Sequence, residues 1–91
     1  MANHASAKKR IRQTVKRTLR NKHIRSTVKT YVKQVRAAID AGEVENAEAA
    51  LKRASKMIDI AVSKGVYHRR TGSRYISRIA TRVASLVRKS D

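Results

Sequence analysis

Arg74, Arg78 and Arg82 recur at four-residue intervals near one end of the chain. Lys8, Lys9, Arg10, Arg12, Lys16, Arg17, Arg20 and Lys22 crowd the other end. Spaced cations of this kind suit a polyanion, because each displaces condensed counterions from a phosphate backbone and the gain is largest where many act together. Lys64, His68, Arg69 and Arg70 form a further group close to the arginine series. For His68, in the loop after Gly65, phosphate or loop-backbone contact and an ordinary surface position stay equally open. Other chemistries are poorly supplied. With no cysteine, disulfides, thiolate metal sites and Cys nucleophiles are excluded. Glu43, Glu45 and Glu48 cluster, but paired acid and base carboxylates need unlike environments, and these three fit the exposed first turn of a helix. His4, His23 and His68 lack a metal-ligand spacing, and Gly42, Gly65 and Gly72 make neither a GxGxxG nor a Walker pattern. No enzyme activity, metal, cofactor or small-molecule substrate is expected.

Aromatic content narrows the mode of polyanion binding. Base-reading and single-strand modules stack bases on aromatic platforms. This chain has three tyrosines and neither Phe nor Trp, and Tyr31 falls at the edge of an apolar stripe. Base stacking is therefore not expected as the main device. Phosphate contact remains, and it reads the shape and register of a folded RNA or a DNA duplex.

The charge is also segregated. The 91 residues carry a formal charge of +17. Residues 1–39 hold twelve Lys or Arg and no acid, whereas residues 40–63 set Asp40, Glu43, Glu45, Glu48 and Asp59 against Lys52, Arg53 and Lys56. Residues 64–91 return to strongly basic, with Asp91 the lone acid. Surfaces selected only for solubility mix both signs. A long acid-free stretch repels itself unless a partner brings the counter-charge.

Three helices must position these residues. Val44, Ala47, Leu51, Ala54, Ile58 and Ala61 follow a strict 3,4,3,4,3 spacing, one apolar seam on a middle helix. Gly42 and Gly65 fall where left-handed residues end the first and second helices. Ile76, Ile79, Val83 and Leu86 repeat the seam in a third helix, and the arginine series is expected on its opposite side. Thr71 or Ser73 is the expected start of that helix. The first helix is the longest, with a core stripe at Ile24, Val28, Tyr31, Val32, Val35 and Ile39. Its earlier apolar residues, Ile11, Val15 and Leu19, project roughly 120–180° away from that stripe, so both halves cannot face one straight core. The expectation is an all-α three-helix bundle, a single domain over 1–91. In it residues 23–89 form the bundle and residues 6–22 overhang as a basic rod. Such a rod is marginal alone and orders when phosphates neutralise it.

No stretch approaches the ~20 apolar residues of a spanning helix, and no signal-peptide core is visible near Met1. A cationic membrane-surface helix is disfavoured by the narrow apolar stripe of residues 6–22 and the lack of Trp or Phe. A nucleoid-type DNA-binding protein is the alternative that phosphate contact alone leaves open.

Ala2-Asn3, Ser6-Ala7-Lys8-Lys9-Arg10, Arg12-Gln13 and Lys16-Arg17 resemble the N-terminus of the bacterial ribosomal small-subunit S-twenty family. Lys64-Gly65-Val66, His68, Arg74, Ser77-Arg78, Ala80 and Arg82-Val83 look like that family's second signature, so the resemblance runs along essentially the whole chain. It implies a ribonucleoprotein component of the small ribosomal subunit, cytoplasmic, bound directly to 16S ribosomal RNA and active in assembly for translation, with no homo-oligomer. Carried over by position, the RNA contacts come from Lys8, Lys9, Arg10, Arg12, Lys16, Arg17 and Arg20 of the first helix. Lys64, His68, Arg74, Arg78 and Arg82 supply the second surface. The Ile11-Val15-Leu19 patch has no implied role.

Overall fold

The computed structural model describes the backbone of residues 2–90 and the side chains of residues 5–89. It contains α1 (Ala2–Asp40), α2 (Val44–Ser63) and α3 (Arg69–Ser90). At 1.5 Å per residue the 39 residues of α1 span about 58 Å, twice what either partner helix can cover. The molecule is accordingly elongated, 70 × 21 × 13 Å. Its radius of gyration is 18.0 Å, against roughly 12 Å for a compact chain of this length.

Two glycines set the turns between helices. Gly42 takes φ +71° and Gly65 φ +76°, left-handed values that a Cβ would penalise. After α1, the Gly42 N–H donates to the Ile39 carbonyl and the Glu43 N–H to the Ala38 carbonyl, both at 3.0 Å. After α2, Gly65 donates to Val62 and Val66 to Ala61 in the same pattern. Each is a Schellman ending that satisfies two orphan carbonyls. Both fall where the sequence places them.

The bundle half of α1 buries Ile24, Val28, Val32, Val35 and Ala38 against Ala47, Ala50, Ala54, Ile58 and Ala61 of α2 and Ile79 and Val83 of α3. Ile58 and Val35 are the largest side chains with no exposed surface. The seam of α2 differs from expectation at two positions, since Val44 at the helix start is only half-buried, and further along Ala50 is buried while Leu51 is only half-buried. The reason is topological. α2 packs along both other helices, while α1 and α3 touch over a much shorter stretch. Its buried face is therefore wider than one seam, and Leu51 sits at the rim.

α3 starts earlier than the expected Thr71 or Ser73. His68 precedes it, its carbonyl accepting the Gly72 N–H at 3.0 Å and its Nδ1 accepting the Arg70 N–H at 3.1 Å. A side-chain acceptor on the second helical N–H is an N-cap, so His68 does the work expected of a hydroxyl three to five residues later. Gly72 then lies inside the helix and is buried. A Cβ there would sit 2.5 Å from Val62 Cγ2 and 3.4 Å from Ile58 Cγ2. Gly72 lets α3 approach α2 closely.

Candidate nucleic-acid interface

Burial of α1 begins at Asn21. All side chains from Ala5 to Arg20 are exposed, including Lys8, Lys9, Arg10, Arg12, Lys16, Arg17 and Arg20, and Lys22 is exposed beyond them. At about 100° per residue, Lys9, Arg10, Arg12, Lys16, Arg17 and Arg20 share an arc of roughly 160°. Ile11, Val15 and Leu19, 63%, 52% and 63% exposed, occupy the other flank. In the bundle half this polarity inverts. The core residues Ile24, Val28 and Val35 fall at one edge of the overhang's cation arc and Val32 roughly 40° beyond it, while Lys22, Arg25, Lys29, Lys33 and Arg36 continue, within roughly 40°, the line of the apolar trio. The inversion is what ends packing near Asn21.

α2 runs back along α1, so the α2–α3 connection lies at the end of the bundle from which the overhang projects. Lys64, His68, Arg69 and Arg70 are exposed there. Arg69 and Arg70 occupy the first turn of α3, which has no acid. Cations there oppose the positive end of the helix dipole, an arrangement that an approaching anion relieves. In contrast, α2 carries Glu45 in its first turn, and Asn46 Nδ2 donates to Glu43 Oε2 beside it.

Arg74, Arg78 and Arg82 are all exposed, but they are not all opposite the seam. A four-residue step advances about 40°, so the series drifts from the outer side at Arg74 to the flank facing α1 at Arg82. Arg78 and Arg82 there line one concavity with Arg36 of α1, Ser77 and Thr81. The Thr81 hydroxyl donates to the Ser77 carbonyl at 2.8 Å. Three guanidinium groups share this hollow with no carboxylate in its lining.

The groove extends along α1 to Lys29 and Lys33, where Tyr67 and Tyr75 face Val28 and Val32. The two rings stand 5.7 Å apart at 60°. Burial, and then the neighbouring Tyr75, push the Tyr67 hydroxyl pKa above its ordinary value, with Arg25 pulling it back. Arg25, Lys29, Lys33 and Arg36 were absent from the sequence-derived site. Their signal is a second stripe at positions 22, 25, 29, 33 and 36, on the flank of the core stripe.

Among the described residues no group of three His, Asp or Glu side chains is placed to hold a metal ion, and His4 lies outside the described side chains. No described helix is long and apolar enough to cross a membrane. What the arrangement can do is hold phosphates on two surfaces, the rod with the adjoining bundle end and the α1–α3 groove.

A family model described as Ribosomal protein S20 matches residues 2–84. The small ribosomal subunit protein bS20 of Syntrophus aciditrophicus is 52% identical over 87 residues, covering 96% of this chain and 98% of the relative. The proteins of the same name from Geotalea daltonii and Geobacter sulfurreducens are 51% and 50% identical over 86 residues, each covering 94% of this chain and 99% of the relative.

Proposed function

The chain belongs to the ribosomal protein S20 family, and from that premise we propose that it binds 16S ribosomal RNA directly through phosphate contacts and steadies that RNA's fold during assembly. As a member of the family it is a structural component of the small ribosomal subunit, in the cytoplasm, and not an enzyme. The observation that carries the RNA-binding reading is the overhang. Every side chain from Ala5 to Arg20 is exposed on a helix with no acid before Asp40. A helix so charged gains little from the bundle and much from an anionic partner.

The mechanism is electrostatic clamping. Two RNA segments repel each other through their phosphates, and cations on the rod and on the α1–α3 groove neutralise one segment each. The uncharged packing of α2 fixes the distance and angle between the two surfaces. Lys8, Lys9, Arg10, Arg12, Lys16, Arg17, Arg20 and Lys22 serve the first contact. Arg78 and Arg82 serve the second from within the groove and Arg74 from the outer side of α3 beside it, with Lys64, His68, Arg69 and Arg70 at the corner between the two surfaces.

Hydroxyl-radical footprinting of 16S ribosomal RNA tests this reading. Two protected patches are expected, of which only one disappears when residues 1–22 are removed. A single patch, lost entirely on that truncation, would contradict it.

A further inference from the structure

We propose that the notch between α1 and α3 seats one unpaired nucleotide of the bound RNA, with its base against Tyr75 and its flanking phosphates on Lys29, Lys33 and Arg36. The proposal rests on the RNA-binding reading above and adds a base-receiving site to a surface otherwise described by phosphate contact alone.

The shape of the notch follows from the packing. Because α2 is wedged along both other helices and α1 meets α3 only briefly, a hollow of about 280 Å³ remains between them. That is just under the roughly 300 Å³ at which small-ligand pockets begin, so it has room for one base and not for a stacked pair. Its floor is apolar, made by Val28 and Val32, 2% and 8% exposed. One wall is the Tyr67–Tyr75 pair, whose 5.7 Å spacing and 60° tilt leave no slot between the rings. A base must therefore lie on the outer ring, and Tyr75 is 40% exposed. Its rim is cationic, with no carboxylate in the lining.

The combination is what selects the ligand. An aliphatic ligand would use the floor but not three cations, and bare phosphate would use the cations but not the rings. A nucleotide uses both, since every base offers a π face and the backbone supplies an anion on either side. The chain has three aromatic residues, and Tyr31 is half-buried against the core. The remaining two stand together at this groove. Beyond Arg36 the hollow opens into the surface formed with Arg78 and Arg82, which offers the continuing RNA backbone a cationic path.

The test measures binding of the full chain to 16S ribosomal RNA and to a fully paired RNA duplex, at one fixed salt concentration and across a salt series. Tyr75→Leu, with an unchanged thermal melt, should weaken binding to 16S ribosomal RNA by about 5- to 150-fold. It should leave its salt slope and the affinity for the duplex unaltered. Tyr75→Phe, which keeps the ring, should bind as the wild type does. With no Trp in the chain, tyrosine fluorescence reports the site directly, and the quenching caused by 16S ribosomal RNA should shrink in Tyr75→Leu. The inference is overturned if Tyr75→Leu binds 16S ribosomal RNA as tightly as the wild type, if it loses the same factor on the paired duplex, or if Tyr75→Phe fails equally. A wild-type chain that binds neither RNA in a salt-dependent way would overturn the underlying RNA-binding reading, and this inference with it.

Discussion

Gly72→Ala isolates the contact that holds α3, and with it Arg78 and Arg82, against the bundle. In an ordinary helix interior the change is favourable by about 1 kcal/mol, because alanine loses less backbone entropy. Here the new Cβ would stand 2.5 Å from Val62 Cγ2, roughly 1 Å inside the usual 3.5–4.0 Å carbon contact. Overpacking of that kind costs about 1–3 kcal/mol. The second neighbour, Ile58 Cγ2 at 3.4 Å, is close to ordinary contact and adds little. The net expectation is a change between neutral and about 2 kcal/mol destabilising. Val62→Ala removes the obstructing methyl, so in that background Gly72→Ala should recover its full propensity gain of about 1 kcal/mol. Urea unfolding followed by circular dichroism gives both values through the midpoint and slope. The double-mutant cycle should show a coupling of about 1–3 kcal/mol. If Gly72→Ala stabilises the wild type as much as it stabilises Val62→Ala, the close approach of α2 and α3 is wrong.

Three further outcomes follow from other parts of the structure. Ile58→Ala should cost about 2–5 kcal/mol in urea unfolding because the side chain is wholly buried, and Leu51→Ala should cost clearly less. Equal costs would place Leu51 in the core after all. His68→Ala should remove about 0.5–2 kcal/mol by leaving the Arg70 N–H without its cap, while His68→Asn, which keeps an acceptor, stays near wild type. Thermal melts would show whether the two variants separate. Arg36→Gln should make the salt dependence of 16S ribosomal RNA binding shallower by about 0.7–0.9 in slope, whereas an unchanged slope would mean that the α1 side of the groove meets no phosphate.

The three helices were legible because Gly42 and Gly65 punctuate them and the seams keep helical spacing. The overhang was legible too, since Ile11, Val15 and Leu19 lie out of phase with Ile24, Val28 and Val35. The width of a buried face was harder to see. A 3,4 spacing describes contact with one neighbour, and α2 has two, so Ala50 displaced Leu51. The start of α3 was missed because histidine is not among the common capping residues and Gly72 reads as a break. Its actual role is close packing, which only a neighbouring Val62 reveals. The surroundings of Lys29, Lys33 and Arg36 are not legible in the sequence, because a cation's neighbours depend on which helix flanks it. Likewise, Tyr67 and Tyr75 are eight residues apart in sequence, and their pairing depends on the turn that reverses the chain between α2 and α3.

The central claim is that many cations on two surfaces meet phosphates of 16S ribosomal RNA together. The slope of the logarithm of the binding constant against the logarithm of salt concentration measures this directly, at about −0.7 to −0.9 per phosphate neutralised. Eight or more contacts predict a slope of about −6 or steeper for the full chain, with duplex DNA a poor competitor at equal salt and phosphate. A slope shallower than about −2, or displacement of the protein from 16S ribosomal RNA by that DNA, would contradict the account.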